Sequence, residues 1–157
     1  MKKMKLFYGV LIGLMILSSC SNNDSNSETD ADSISIVGTW KPIKRVTICS
    51  TGSQESENFD SCVQNGKLIY EANGNFNEDT YSLNNSNDCN LVIQENGTWR
   101  IENDKLNIKY SDDNAFEEVP FFELSKNILR IGEYTNSGSC DGGNLESHYY
   151  FEYERIQ

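Results

Sequence analysis

From Ile34 to Gln157 the sequence is written in short alternating apolar and polar runs, broken by Asn, Gly and Asp. No stretch keeps a helical period, and period-two alternation turns one side of each run toward a core. Strands this short are not stable alone and must share one interior. The runs predict strands at 38–48, 67–72, 76–83, 91–94, 98–101, 106–110, 119–124, 128–134 and 148–156. Pro42 implies an edge or bulge in the first, since it has no N–H for a ladder. Leu68, Tyr70 and Ala72 fall on one face of the second. Asn73-Gly74 is a hairpin turn signal, because both residues tolerate positive φ, and Asn96-Gly97 and Asn103-Asp104 are read as further turns. Residues 50–61 and 84–88 read as polar loops. Eight or nine antiparallel strands joined mostly by tight turns predict an all-β fold, an antiparallel up-and-down β-barrel of eight strands, closed so that no edge is exposed. A two-sheet sandwich is the rival, and only 50–61, 111–117 and 135–147 could supply its crossovers.

The start of the chain is of a different kind. Met1-Lys2-Lys3-Met4-Lys5 is basic, and 6–17 is apolar but for Gly9 and Gly13. That run is short of the roughly 20 residues that span a bilayer and fits the h-region of a secretory signal. It ends in Leu17-Ser18-Ser19-Cys20, which resembles the lipobox of bacterial lipoproteins. The resemblance implies cleavage before Cys20, a diacylglycerol thioether on its sulfur and acylation of its new amine. Several acyl chains hold a protein stably where one holds only reversibly. An ordinary cleaved signal before a chance Cys, and a retained membrane helix, are the readings set aside. The expected organisation is a signal peptide at 1–19, a lipid-anchored disordered tether at 20–33 and a barrel at 34–157. The tether is polar, acidic and free of aromatic residues, too poor in apolar surface to offset the entropy of ordering. Its alternating Asp24, Asn26, Glu28, Asp30 and Asp32 lack the sixth-position Gly of a calcium loop, where Thr29 stands. The stretch after Cys20 resembles export signals of surface lipoproteins in one Gram-negative phylum, so an outer-membrane location is expected, with surface display implied by the resemblance and a periplasmic orientation as the alternative. Asp32-Ser33-Ile34 resembles an O-glycosylation site of the same phylum, and an unmodified linker end is the preferred reading.

Without residues 1–19, the 157-residue chain leaves 138, the size of one domain. Three of the 13 basic residues lie in the signal, so 10 face 24 acidic ones, a net charge near −14. That surface repels phosphate backbones and disfavours nucleic acid. Cys49, Cys62, Cys89 and Cys140 remain, an even number in an exported chain, which suggests two disulfides with three pairings open. No Cys-x-x-Cys pair occurs and His148 is the only histidine, so neither a metal nor another cofactor is expected.

Val37-Gly38-Thr39-Trp40-Lys41 resembles the Gly-x-Trp signature of the lipocalins. The segments 67–76 (Lys-Leu-Ile-Tyr-Glu-Ala-Asn-Gly-Asn-Phe) and 97–106 (Gly-Thr-Trp-Arg-Ile-Glu-Asn-Asp-Lys-Leu) resemble the lipocalin-like domain of small bacterial lipoproteins. Residues 124–131 and the aromatic ending 149–155 fit the same pattern, so the resemblance covers nearly all of 34–157. It implies that Trp40 closes the barrel bottom and that Arg155 packs across it, worth about 0.5–2 kcal/mol as a cation–π contact. The second Gly-Thr-Trp puts Trp99 in the core after a turn, with a sugar-stacking platform as the functional alternative. A hairpin centred on Asn73-Gly74 brings Cys62 near Cys89, a pairing that related domains share. Cys49 with Cys140 then remains, and each bridge is worth about 3–4 kcal/mol in the chain-entropy model.

Catalytic signatures are thin. No Gly-x-Ser-x-Gly elbow accompanies His148, and Asp112-Asp113 and Glu117-Glu118 sit in a polar loop where solvated charge is the default. Asp141-Gly142-Gly143-Asn144 lacks further calcium-ligand spacing. The expectation is a non-enzymatic, monomeric, membrane-anchored binding module. Its interior would be lined by Trp40, Leu68, Tyr70, Trp99, Leu106, Ile108, Tyr149, Phe151 and Tyr153, and would take a small apolar or amphipathic ligand. The alternative is a surface module for a protein or glycan, with a filled core.

Overall fold

The computed structural model describes residues 34–135 and 142–157. The signal, Cys20, the tether, Ser33, Cys140 and Asp141 therefore lie outside the described residues, as does the expected bond from Cys49 to Cys140. Ten strands are described: β1 Gly38–Ile48, β2 Gln54–Asn58, β3 Lys67–Tyr70, β4 Asn75–Leu83, β5 Cys89–Glu102, β6 Lys105–Tyr110, β7 Glu117–Glu118, β8 Phe121–Leu124, β9 Ile128–Tyr134 and β10 His148–Arg155. The sheet runs β7-β6-β5-β4-β3-β1-β10-β9-β8, every pair antiparallel, with β2 added to β1. This is an up-and-down lipocalin-like barrel. Setting aside β2 and the two-residue β7, its wall has eight strands.

β1 holds the fold together because three strands pair with it. Its first residues meet β3 (Trp40↔Leu68), its upper half meets β2 (Val46↔Ser56), and its whole length runs beside β10 (Trp40↔Arg155 to Ile48↔His148). The register shifts between Pro42 and Lys44, the irregularity expected where a proline interrupts the ladder. The ends of the sheet path, β7 and β8, are joined in the chain by Val119-Pro120. Val119 N donates to Leu106 O at 2.8 Å, so covalent continuity completes the wall at this seam.

The barrel has a closed and an open end. At the closed end lie the turns 71–74, 103–104 and 125–127 and the segment 34–37. Asn103 and Asp104 both take positive φ, 54° and 61°, as a two-residue hairpin needs. Gly74 (φ 88°) ends a four-residue turn instead, in which Asn73 Oδ1 accepts from Asn75 N at 2.9 Å. β3 thus stops at Tyr70, and Ala72 is exposed in the turn instead of extending the inward face.

Two sequence expectations are corrected. Residues 50–61 are not all loop, because β2 forms there on the upper edge of β1 that β3 leaves free. Asn96-Gly97 is not a turn. β5 runs unbroken through it, with Asn96 opposite Asn77 and Gly97 opposite both Phe76 and Tyr110. A Cβ on Gly97 would stand 2.6 Å from the Phe76 ring and would strike Lys109 O, so glycine is there to let three strands close around a buried aromatic.

Candidate functional site

The lower half of the interior is solid. Ile36, Trp40, Leu68, Tyr70, Phe76, Leu106 and Leu129 form one buried cluster. Trp40 Nε1 donates to Ile36 O at 2.8 Å, which draws the chain before β1 across the barrel floor. Arg155 Cζ lies 4.2 Å over the Trp40 ring. Its guanidinium donates to Val37 O at 2.6 Å, to Lys126 O at 2.7 Å and to Ser35 O. One side chain therefore ties the N-terminal segment, the β8–β9 turn and β10 together below the tryptophan.

The upper half is open. Inward alternation on β3, β4, β6, β9 and β10 leaves two adjoining lobes that share Leu68, Glu78, Phe151 and Tyr153. One, of about 280 Å³, lies under Phe59, Val63 and Ile93. The other, of about 320 Å³, reaches Tyr70, Ile108, Tyr110 and Tyr149. Volumes of this order are the lower end of those that hold small organic ligands.

The segment between β2 and β3 covers the first lobe. Asp60 Oδ1 accepts from Cys62 N at 2.8 Å and Val63 N at 2.9 Å, nucleating the 3-10 turn Val63–Asn65. Cys62 is bonded to Cys89 (S–S 2.04 Å), which pins this segment to the start of β5. The Phe59 ring meets Phe151 at 6.0 Å between centroids.

Of the side chains expected inside, Leu68, Tyr70, Ile108, Tyr149, Phe151 and Tyr153 line the open lobes. Leu106 and Trp40 belong to the packed floor. Trp99 stands at the closed end, its Nε1 donating to Glu71 O at 3.1 Å, beside an outer hollow shared with Ile34, Phe122 and Leu124. The indole is anchored as a core residue, edge-on to Tyr70 at 5.6 Å.

Sequence reasoning missed Glu78, Tyr110 and the covering segment. Glu78 carried a signal, because it occupies the inward phase of Phe76-Asn77-Glu78-Asp79-Thr80, where an apolar residue belongs. Burial raises its carboxyl above the ordinary value of 4.5, the facing Glu95 adds to the shift, and a hydrogen bond from Thr80 at 3.4 Å offsets part of it. Burial likewise pushes the Tyr110 phenol up to about 12 and the Tyr70 and Tyr153 phenols well above their usual range, with Glu78 contributing to each. Tyr70 Oη is buried without a hydrogen-bond partner.

The convex face carries a separate aromatic group. Gly132, opposite both Phe121 and Tyr150, leaves room for the Phe121 ring to stack on Tyr150 at 5.2 Å and on His148 at 4.5 Å. His148 is thus packed on the outside of the wall. Below it, Glu152 accepts from Arg130 at 2.9 Å and pairs with Lys44 at 3.2 Å. Burial alone would raise this carboxyl, but the two cations outweigh it and hold it below the usual range. Asp112, Asp113, Glu117 and Glu118 are exposed, and Glu118 pairs with Lys105 at 3.0 Å. Among the described residues no group of three His, Cys, Asp or Glu could hold a metal ion, and no helix is long and apolar enough to cross a membrane.

An up-and-down barrel with a sealed floor, a Trp–Arg clasp beneath it and a cup above defines a protein of the lipocalin type. The model of the lipocalin-like domain matches residues 36–131, and the chain belongs to this family. Among solved structures it is similar to an uncharacterized protein from Bacteroides eggerthii, at 13% identity and a TM-score of 0.42 over 76% of this chain and 98% of that one. Lobster apocrustacyanin A1 is matched at 13% identity and a TM-score of 0.37, over 76% of this chain and 59% of that one. No curated protein matches.

Proposed function

We propose that the chain is a lipid-anchored, non-enzymatic envelope protein whose barrel holds a small apolar or amphipathic molecule. The observation that carries this reading is the open upper half of the interior, walled by Leu68, Ile108, Phe151 and Tyr153 above a sealed floor. Apolar walls with a few inward hydroxyls suit a ligand with an apolar body and one polar end. The alternative, a surface module for a protein or glycan, called for a filled core. The outer cluster of Phe121, His148 and Tyr150 speaks for it only weakly, since Tyr150 is buried and both other rings are partly covered.

Anchoring rests on the lipobox at Cys20, and the tether at 20–33 would carry the barrel clear of the outer membrane, facing outward. Native mass spectrometry of gently extracted protein, with lipid analysis of what co-purifies, tests the binding reading. A bound species of reproducible mass is expected, and its repeated absence counts against the cup. Metabolic labelling with palmitate tests the anchor. Incorporation that survives Cys20→Ala removes it, and protease shaving of intact cells reports on outward display.

A further inference from the structure

Glu78 and Glu95 stand directly opposite each other on β4 and β5, on the concave face of the sheet, where Glu78 lines both lobes and Glu95 is exposed beside it. Like charges at facing positions destabilise a sheet. Among the described residues neither has an ion pair. Beside them is Tyr70 Oη, on a residue only 1% exposed, lining the same lobe as Glu78 and without a hydrogen-bond partner. A buried hydroxyl left unpaired is costly unless something enters to satisfy it. The phenols of Tyr110 and Tyr153 complete the surround, and their ring faces attract cations. The rim adds Glu117, Glu133 and the Lys105-paired Glu118. Among the described residues no lysine or arginine lines this lobe: Arg45 Cζ sits 4.7 Å over the Tyr149 ring, and Lys67 is exposed on the lip of the adjoining first lobe.

Resting on the reading of the barrel as a ligand-holding cup, we infer that its polar end is built for an organic cation. The ammonium of an amine-bearing amphiphile sits between the Glu78–Glu95 pair and the Tyr70, Tyr110 and Tyr153 phenols, with its apolar body along Leu68, Ile108 and Phe151. A metal ion is the poorer fit. The described residues gather no three-ligand cluster, and phenol and aliphatic walls do not replace the oxygen shell of a hard cation. A fatty-acid carboxylate is poorer still, since it would meet Glu78 and Glu95 in a lobe lined by no cation among the described residues.

The test is calorimetric titration of the full-length protein in nanodiscs, with empty nanodiscs as blank, using octylammonium, octanol and octanoate at neutral pH. The ammonium is expected to bind about tenfold or more tightly than octanol, and octanoate more weakly than either. Glu78→Gln, checked for folding by circular dichroism, should abolish the preference for the ammonium while leaving octanol binding intact. Tyr70→Phe, as a second variant, should weaken ammonium binding about threefold. If octanol or octanoate binds as tightly as the ammonium, or the preference survives Glu78→Gln, the cation inference falls while the cup stands. If none of the three binds, the cup falls and the inference with it.

Discussion

Arg155 is a surface-edge residue by exposure and a structural centre by its partners. A guanidinium that lies on Trp40 and donates to three carbonyl oxygens fixes the floor through planar geometry that an ammonium cannot copy. We expect Arg155→Met to lower stability by about 2–4 kcal/mol, from lost charge-assisted hydrogen bonds and the cation–π contact, in urea denaturation. Arg155→Lys should recover less than half of that. Glu78 has the opposite character. Its folded-state pKa is raised, so its favourable contribution is complete below the unfolded value and is lost as pH rises through the folded one. Glu78→Gln should therefore make the empty protein more stable at neutral pH. The gap should close as pH falls below the ordinary value of 4.5, read from urea midpoints across pH. A gap that widens on acidification would mean that Glu78 is better solvated than its place between Leu68 and Tyr153 implies. Trp40 and Arg155 were legible in the sequence because both sit in a local motif at the ends of the chain's outermost strands. Glu78 was not picked out, because one inward carboxylate looks like ordinary surface charge until the partner strand shows which face is inside.

At the level of elements, alternation identified the strands well wherever both sides of the ladder are occupied. β1 and β9 have the boundaries expected, and the Asn103-Asp104 hairpin is where it was placed. Failure came where a local signal competed with a long-range one. Asn96-Gly97 has the composition of a turn, yet Gly97 serves as the gap into which the Phe76 ring fits, a demand set by residues far away in sequence. Above Gly97, β5 leaves β6 behind, and Leu91, Val92 and Ile93 are exposed along an arm paired only with β4. The Cys62–Cys89 bond, spanning 27 residues, holds the outer end of this arm to the segment over the first lobe. Replacing both cysteines by serine should cost about 3–4 kcal/mol in the chain-entropy model. It should also speed amide exchange in 59–66 and 89–93 more than in β10, measured by hydrogen–deuterium exchange. Uniform acceleration would show that the bridge stabilises the whole barrel and not this corner.

For the whole molecule, the order of the strands joined by short turns followed from those turns, since short connections leave an antiparallel strand no neighbour but the next, while the three long segments left a sandwich open. Whether the barrel was full or hollow did not follow, because that depends on how side-chain volumes add across the interior. The answer is divided: packed below Tyr70, open above it. The place where the sheet path ends has a further consequence. β7 and β8 are its two termini, yet only Val119-Pro120 separates them in the chain, while Gln157 O accepts from Thr39 N at 2.8 Å near the start of β1. A circular permutant that begins at Pro120, with Gln157 linked to Ile34, would cut no strand pairing, would give up only the covalent link across the β7–β8 seam, and would move the chain ends to the rim of the cup. Its far-ultraviolet spectrum should match the parent's. The mouth itself would then become a point of genetic attachment, where a reporter could sit beside whatever the barrel takes in.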